Sequence, residues 1–335
     1  MSGPPLLEVR NLSVSFRTQD GTVHAVDNVS FTVNRGEVLG IVGESGSGKS
    51  VTAMTLMRLI LDQNAVFSGE VLFDGRDLMQ LSQRDMLQVR GTRIAMIFQD
   101  PMTSLNPVYR IGWQIEEQLR AHERMSSKQA RRRTLELLGA VGIPNPQARV
   151  DDYPHQFSGG MRQRVMIAMG ISCNPDVLIA DEPTTALDVT IQGQILDLIA
   201  DLVAERGMSM ILISHDLGVI AENVQRMAVM YGGTVVESGA TDAVFTRMGH
   251  PYTQGLFRAR PRLGARKGTR LKTIAGTVPE LADLPAGCTF ADRCAIVEDR
   301  CRVALPLAVD VGAGHGVRCV RTDVSMAEAV GVLGA

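Results

Sequence analysis

The run Gly43-Glu44-Ser45-Gly46-Ser47-Gly48-Lys49-Ser50 matches every fixed position of the pattern G-x-x-x-x-G-K-[ST]. The chemistry of that pattern is phosphate binding. Glycines let the backbone approach phosphate oxygens, the following helix adds the positive end of its dipole, the lysine reaches the β/γ-phosphates and the hydroxyl binds Mg²⁺. Val38-Leu39-Gly40-Ile41-Val42 is an apolar strand-like run, and Val51 to Leu61 reads as an apolar helix. The glycines therefore fall on a strand-to-helix turn, and the chain is expected to handle a nucleoside triphosphate.

Two further groups could act on that phosphate. Val177-Leu178-Ile179-Ala180 reads as a buried strand ending in Asp181-Glu182. Two carboxylates at a strand's C-terminal edge suit a metal shell, for Asp181, and the orientation of an attacking water, for Glu182. Phe157-Ser158-Gly159-Gly160-Met161-Arg162-Gln163-Arg164 lies upstream of that strand, just before a helix-like apolar stretch. A Ser-Gly-Gly turn opening a helix is a second anion site, with N–H groups and a hydroxyl but no lysine.

With these elements in this order the chain resembles the ATP-binding cassette (ABC) family, whose signature is written L-S-G-G-Q. Phe157 and Met161 replace its first and last letters, while Ser158, Gly159, Gly160, Gln163 and Arg164 match. The resemblance implies ATP contacts from Gly43, Ser45, Gly46, Gly48, Lys49, Ser50 and Val51. It implies Mg²⁺ held by Ser50, Gln99 and Asp181, with hydrolysis carried by Glu182, His215 and Gln99. Gln99 stands in Ile97-Phe98-Gln99-Asp100-Pro101, and His215 closes the apolar run Met210-Ile211-Leu212-Ile213-Ser214. Asp188 matches the loop that crosses a dimer interface, and Ser158, Gly159 and Gly160 would close on ATP held by a partner cassette. Phe16 fits an adenine-stacking aromatic, although Leu12, Val14 and Phe16 also alternate as in a half-buried strand whose aromatic is core.

Two distant segments narrow the resemblance. Asp100-Pro101-Met102-Thr103-Ser104-Leu105-Asn106-Pro107 and His250-Pro251-Tyr252-Thr253-Gln254-Gly255-Leu256 both resemble the oligopeptide and dipeptide importers. Cysteine usage is the third line. Cys173 reads as a buried small hydrophobe. Cys288, Cys294, Cys301 and Cys319 crowd the C-terminal region, with five, six and seventeen residues between them. Four thiolates can fill a tetrahedral zinc site, hold a cubane iron–sulfur cluster or stay unligated, and the lack of a C-x-x-C pair weighs against zinc. The region from Pro279-Glu280 to Cys319 resembles the importers' C-terminal extension, which implies a [4Fe–4S] cluster, acting as a structural staple.

Pattern and composition place these groups on elements. The fold class expected is α/β: a P-loop ATPase core of mostly parallel sheet with an antiparallel β flank, an inserted helical subdomain and a small Cys-rich C-terminal extension. Residues 5 to 40 alternate as strands, with Val29, Phe31 and Val33 on one face and turns at Asp20-Gly21 and Arg35-Gly36. Between Pro101 and Gln156 helical patterns dominate, with Ile115 to Arg124 and Ser127 to Val141 amphipathic. Val189 to Arg206 reads as the helix between two parallel strands. The domains expected are an ATPase domain over 5–240, containing a helical subdomain at about 101–160, and an extension over 241–335.

The 335 residues carry 45% apolar side chains, ample for a buried core, and a formal charge of −2 gives no electrostatic case for nucleic acid. Arg131-Arg132-Arg133 reads as one solvated helix face. No basic-then-apolar leader and no apolar run near the ~20 residues of a membrane span is present, so the chain is expected on the cytoplasmic face of the inner membrane as a peripheral subunit. The resemblance implies as partners a second, non-identical ATPase subunit, two integral membrane permease subunits and, indirectly, an extracytoplasmic substrate-binding protein. Alternatives within transport are uptake of nickel, glutathione or antimicrobial peptides. Outside transport, the alternative is a soluble ABC ATPase acting on nucleic acid or ribosomes, for which the single phosphate loop and the lack of sustained heptads speak poorly.

Overall fold

A computed structural model describes residues 3–185, 187–259, 273–323 and 325–326. Its strands run in the order β1 Leu7–Thr18, β2 Gly21–Val33, β3 Val38–Val42, β4 Ala65–Phe73, β5 Arg76–Asp77, β6 Ile94–Ile97, β7 Val177–Asp181, β8 Ser209–Ser214, β9 Arg226–Tyr231, β10 Thr234–Ala240, β11 Val309–Asp310 and β12 Gly316–Val317. The chain divides into two units. One is built mainly from Gln80–Ile213 with Val33–Glu37; the other is built from Pro5–Thr32, Val38–Met79 and Ser214 onward. Among the described residues no helix is long and apolar enough to cross a membrane.

In the first unit β6, β7 and β8 are parallel, with Ile97 beside Ala180 and Asp181 beside Ile213. All residues of β6 and β7 are buried, as expected of strands with both faces covered. The helices sit between β6 and β7. Helix Ile111–His122 buries Ile111, Ile115 and Leu119 at i, i+4, i+8, and helix Ser127–Ala140 buries Leu137 and Leu138. The first begins four residues before the expected Ile115, because Ile111 already belongs to the apolar stripe, and extended backbone at Glu123 ends it before Arg124. Ser126 opens the second with a reciprocal capping box to Gln129. The Arg131 to Arg133 run is not one solvated face: Arg131 donates to Asp151 Oδ2 at 2.5 Å and to Glu116 Oε1 at 3.2 Å, tying that helix to its neighbours. The helix Val189–Arg206 ends at Gly207 with φ 63, a left-handed cap.

In the second unit a sheet ordered β2-β1-β4-β5 forms the antiparallel flank, with Leu7 beside Phe73 and Phe16 beside Ala65. β3 lies parallel to β9, and β9 turns through Gly232-Gly233 into antiparallel β10, a two-glycine hairpin. β10 continues to β12 and β11 of the C-terminal segment. Helix Lys49–Leu56 follows β3. It stops five residues short of the expected Leu61, because Arg58 takes φ 49 and Leu61 stands 84% exposed. Helix Pro251–Arg258 then brings Tyr252 against Tyr231 and Phe290, ring centroids 4.6 and 5.4 Å away, so that the segment beyond β10 shares one aromatic core with the end of β9.

Candidate functional site

The phosphate-type loop begins where β3 ends and closes into helix Lys49–Leu56, as the sequence predicts. Two glycines let it lie flat on its support. A Cβ at Gly43 would stand 2.2 Å from the Met230 carbonyl oxygen of β9, and one at Gly48 2.5 Å from the Ala25 carbonyl oxygen of β2. Gly48 also has φ 95 as the helix N-cap, a conformation that costs an L side chain roughly 1–2 kcal/mol. Ser45 and Gly46 are exposed at the loop's crest, and Ser47 beneath them is buried. Lys49 is 4% exposed and folds over the loop, its Nζ donating to the Gly43 carbonyl at 2.8 Å, the Glu44 carbonyl at 2.9 Å and Ser47 Oγ at 3.4 Å. Ser50 and Val51, in the first helical turn, are half-buried.

The carboxylate pair closes β7 in the other unit. Asp181 is the last strand residue, 4% exposed, and Glu182 follows with φ 46. A bulky non-glycine residue in the left-handed region costs about 1–3 kcal/mol and is concentrated at functional sites. The Glu182 amide donates to the Ile213 carbonyl at 3.0 Å, which holds the turn. Its carboxylate Oε2 accepts from Gln99 Nε2 at 3.1 Å and from Thr185 Oγ1 at 2.9 Å. Because β6 runs beside β7, Gln99, two residues past Ile97, arrives at the same edge as Asp181 and Glu182. The structure thus brings Gln99, Asp181 and Glu182 together. A carboxylate oriented by an amide and a hydroxyl at a strand end can accept a proton from water.

The Ser158-Gly159-Gly160 turn opens helix Gly159–Gly170. Ser158 is its N-cap, with Oγ accepting from the Met161 amide at 3.3 Å. Phe157, where the signature has leucine, is 2% exposed and anchors the turn, while Ser158 and Gly159 face outward. Ser158 and Gly159 therefore stand exposed at the helix N-terminus, while the Met161 amide is taken up by the Ser158 cap. A Cβ on Gly160 would come within 3.1 Å of Ile191. Asp188 is exposed at the N-terminus of helix Val189–Arg206. His215, directly after β8, is exposed, and Phe16 is half-buried on β1 beside the fully buried Leu12 and Val14.

All four C-terminal cysteines line one small pocket, with His250, Phe290 and Arg321 among its other lining residues. Gly287, beside Cys288, lets the chain close on the Cys301–Arg302 backbone: a Cβ there would meet the Cys301 carbonyl oxygen at 2.2 Å. Backbone bonds tie the walls, Cys288 N–H to the Cys301 carbonyl at 2.7 Å and Arg321 N–H to Cys319 Sγ at 3.3 Å. Burial, helped by the three neighbouring cysteines, pushes the Cys288 thiol up to about 11; burial likewise raises Cys319. Such thiols stay protonated unless a cation takes the place of the protons, which is how metal binding couples to thiol ionisation. Among the described residues no three His, Cys, Asp or Glu side chains converge tightly enough to hold a single metal ion. Cys173 is buried and its thiol is pushed up by burial, as a small hydrophobe should be.

Several residues joined to these sites carry no sequence signal. Thr185 is one. Arg293 is another, donating to the Glu44 carboxylate across 249 residues of chain. Glu237 is 1% exposed and accepts from the Gly249 amide at 2.6 Å, the His250 amide at 2.9 Å and His315 Nε2 at 2.7 Å. A buried glutamate whose partners lie 12, 13 and 78 residues along the chain has no local pattern that could announce it.

Comparison with known proteins shows the family. The family model described as ABC transporter matches residues 26–185, and that described as oligopeptide/dipeptide transporter, C-terminal region, matches residues 236–301. A protein of Brucella ovis named as a peptide import ATP-binding protein is 49% identical over 332 residues, 96% of this chain and 98% of that protein. One of Sinorhizobium fredii named as a peptide ABC transporter ATP-binding protein is 49% identical over 319 residues, 95% of each chain. Among solved structures, a dimeric ATP-binding cassette in a post-hydrolysis state bound to ADP and Pi has a TM-score of 0.63 at 28% identity, covering 70% of this chain and 98% of that one. The cbiO1 protein of Clostridium perfringens, part of an ABC transporter complex, has a TM-score of 0.62 at 27% identity, covering 73% of this chain and 92% of its own. Near-half identity to such proteins along almost the whole chain makes this chain a member of the ABC transporter family and an ABC-type ATPase.

Proposed function

We propose that this chain is the ATP-hydrolysing subunit of an importer for di- and oligopeptides. The observation that carries the reading is that one chain matches the ABC transporter family over 26–185 and the oligopeptide/dipeptide transporter C-terminal region over 236–301. Relatives at 49% identity bear names that specify peptide import. The ATPase domain is taken as 5–240 with its helical subdomain at about 101–160, and the extension as 241–335.

In this reading Gly43, Ser45, Gly46, Gly48, Lys49, Ser50 and Val51 hold the ATP phosphates and Phe16 stacks on adenine. Ser50, Gln99 and Asp181 would hold Mg²⁺, which when bound neutralises charge on the transferred phosphoryl group. Glu182 takes the proton of the attacking water; its orientation by Gln99 and Thr185 supports that role. His215 senses the γ-phosphate. Ser158, Gly159, Gly160 and Asp188 serve the site of a partner cassette, and the outward face of the Ser158 turn supports this. The partners are a second, non-identical ATPase subunit, two membrane permease subunits and an external binding protein, with the chain on the cytoplasmic face of the membrane. Exposed Phe98, Met102, Val108, Tyr109 and Trp113, in the stretch on either side of and following Gln99, suit contact with a permease.

Cys288, Cys294, Cys301 and Cys319 would hold a [4Fe–4S] cluster, which when bound supplies cross-linking of a small segment. Four cysteines lining one pocket, and an amide donating to the Cys319 sulfur, support the fit. Isolation of the tagged chain from its native cells, anaerobically and in mild detergent, tests the whole reading. Recovery with two multi-spanning proteins and a second cassette is expected; recovery with ribosomes, or with none of these, refutes it.

A further inference from the structure

Glu44, the second residue of the phosphate loop, is gripped at backbone and side chain by residues far along the chain. Its amide donates to Tyr252 Oη at 2.8 Å. Its carboxylate accepts both arms of the Arg293 guanidinium, Nη1 to Oε2 at 2.7 Å and Nη2 to Oε1 at 3.3 Å, a fork-to-fork pair. Arg293 is sunk into the fold, its side chain 6% exposed. Its Nε donates to the Ala275 carbonyl at 3.0 Å and its Nη1 also reaches Tyr231 Oη at 3.4 Å, while the guanidinium stands 5.7 and 5.9 Å from the Tyr231 and Phe290 ring centres. Burial works against its charge, and the bonds to Glu44 and Tyr231 outweigh that, so its proton is held more firmly than usual.

The grip reaches the lysine. Tyr231 follows Met230, whose carbonyl backs Gly43, and the Glu44 carbonyl accepts from Lys49 Nζ at 2.9 Å. Arg293 is itself fixed by the cysteine-walled segment: the Ala291 amide closes on the Cys288 carbonyl at 2.9 Å and the Cys294 amide on the Ala291 carbonyl at 3.3 Å, with Arg293 between them.

We propose that Arg293 is a positioning residue for the phosphate-binding loop, acting through Glu44, so that the cysteine-walled C-terminal segment sets the affinity for nucleotide. It touches no phosphate. It fixes the direction of the Glu44 carbonyl and so the place from which Lys49 swings onto the nucleotide. The inference rests on the reading of Gly43 to Ser50 as the nucleotide loop.

The test is titration of the full-length chain with ATP, together with steady-state ATPase kinetics. Arg293→Ala is expected to weaken ATP binding about tenfold and to raise KM by the same factor while turnover at saturating ATP is retained. Arg293→Lys should recover little, since an ammonium cannot fork onto the carboxylate. Glu44→Ala and Arg293→Ala combined should weaken binding no more than either alone. If Arg293→Ala fails to fold, Glu44→Gln, which leaves Arg293 in place, should still weaken binding measurably. Wild-type affinity in Arg293→Ala or Glu44→Gln, full recovery in Arg293→Lys, or additive losses in the double variant overturns the inference while the loop's assignment stands. A wild-type chain that binds no ATP overturns that assignment and the inference with it.

Discussion

Glu182→Gln separates the chemistry of the carboxylate edge from its architecture. The carboxylate oxygen Oε2 of Glu182 accepts two bonds, from Gln99 Nε2 at 3.1 Å and from Thr185 Oγ1 at 2.9 Å. A glutamine with its carbonyl oxygen at that point keeps both, because amide and hydroxyl donors need only an acceptor there. The backbone at φ 46 is no worse for glutamine than for glutamate, since the strain comes from the Cβ they share. Folding stability should therefore change by less than about 1 kcal/mol, the loss from two charge-assisted bonds becoming neutral ones at an exposed edge. The base itself disappears, and general-base catalysis is worth about 10²–10⁴ in rate, or roughly 3–5 kcal/mol of barrier. The assay is phosphate release at saturating MgATP, alongside ATP titration and thermal melting of the same preparations. Unchanged affinity and melting with turnover down at least a hundredfold is expected. Turnover near wild type would refute the role given to Glu182, and lost ATP binding would refute the claim that glutamine keeps the architecture of this edge.

Gly48→Ala puts a Cβ 2.5 Å from the Ala25 carbonyl oxygen at φ 95, so it should cost roughly 1–3 kcal/mol and lower both the melting temperature and ATP affinity; wild-type values would contradict the tight seating of the loop. Chain purified anaerobically should contain iron and acid-labile sulfide in equal amounts with broad visible absorbance, all lost in Cys301→Ser; zinc in place of iron, or no metal, would refute the cluster. His250 is fully buried, and burial lowers its ionisation to about 4 despite the opposing pull of Glu237. Its folded value lies below its unfolded value near 6.5, so its contribution to stability is whole above about pH 6.5 and lost as pH falls toward about 4. His250→Asn, which keeps a cap for the Tyr252 amide now bound to Nδ1 at 3.1 Å, should flatten that decline in melting temperature; an unaltered slope would exclude His250 as its source.

Legibility tracked how local the physics is. The phosphate loop, the carboxylate edge and the signature turn each depend on a few consecutive residues whose types are fixed by backbone approach or by a strand end, and each lies where its sequence places it. β4 escaped notice because Ser68-Gly69-Glu70 interrupts its alternation, and its pairing with β1 depends on a bulge between Arg10 and Ser13. The end of helix Lys49–Leu56 was hidden because Leu59, Ile60 and Leu61 continue an apolar run, whereas left-handed backbone at Arg58 stops the helix. The left-handed turn at Glu182 and the pair Glu44–Arg293 could not be read at all. The first is a strain paid by surrounding structure, and the second joins groups 249 residues apart.

The most direct measurement is uptake of labelled di- and oligopeptides into proteoliposomes holding this chain with the membrane proteins and second cassette that co-purify with it, with the binding protein and ATP supplied on their proper sides. Accumulation that requires ATP and is abolished by Glu182→Gln in this chain is the predicted result. Sustained ATP hydrolysis with no peptide accumulation would contradict the assignment to peptide import.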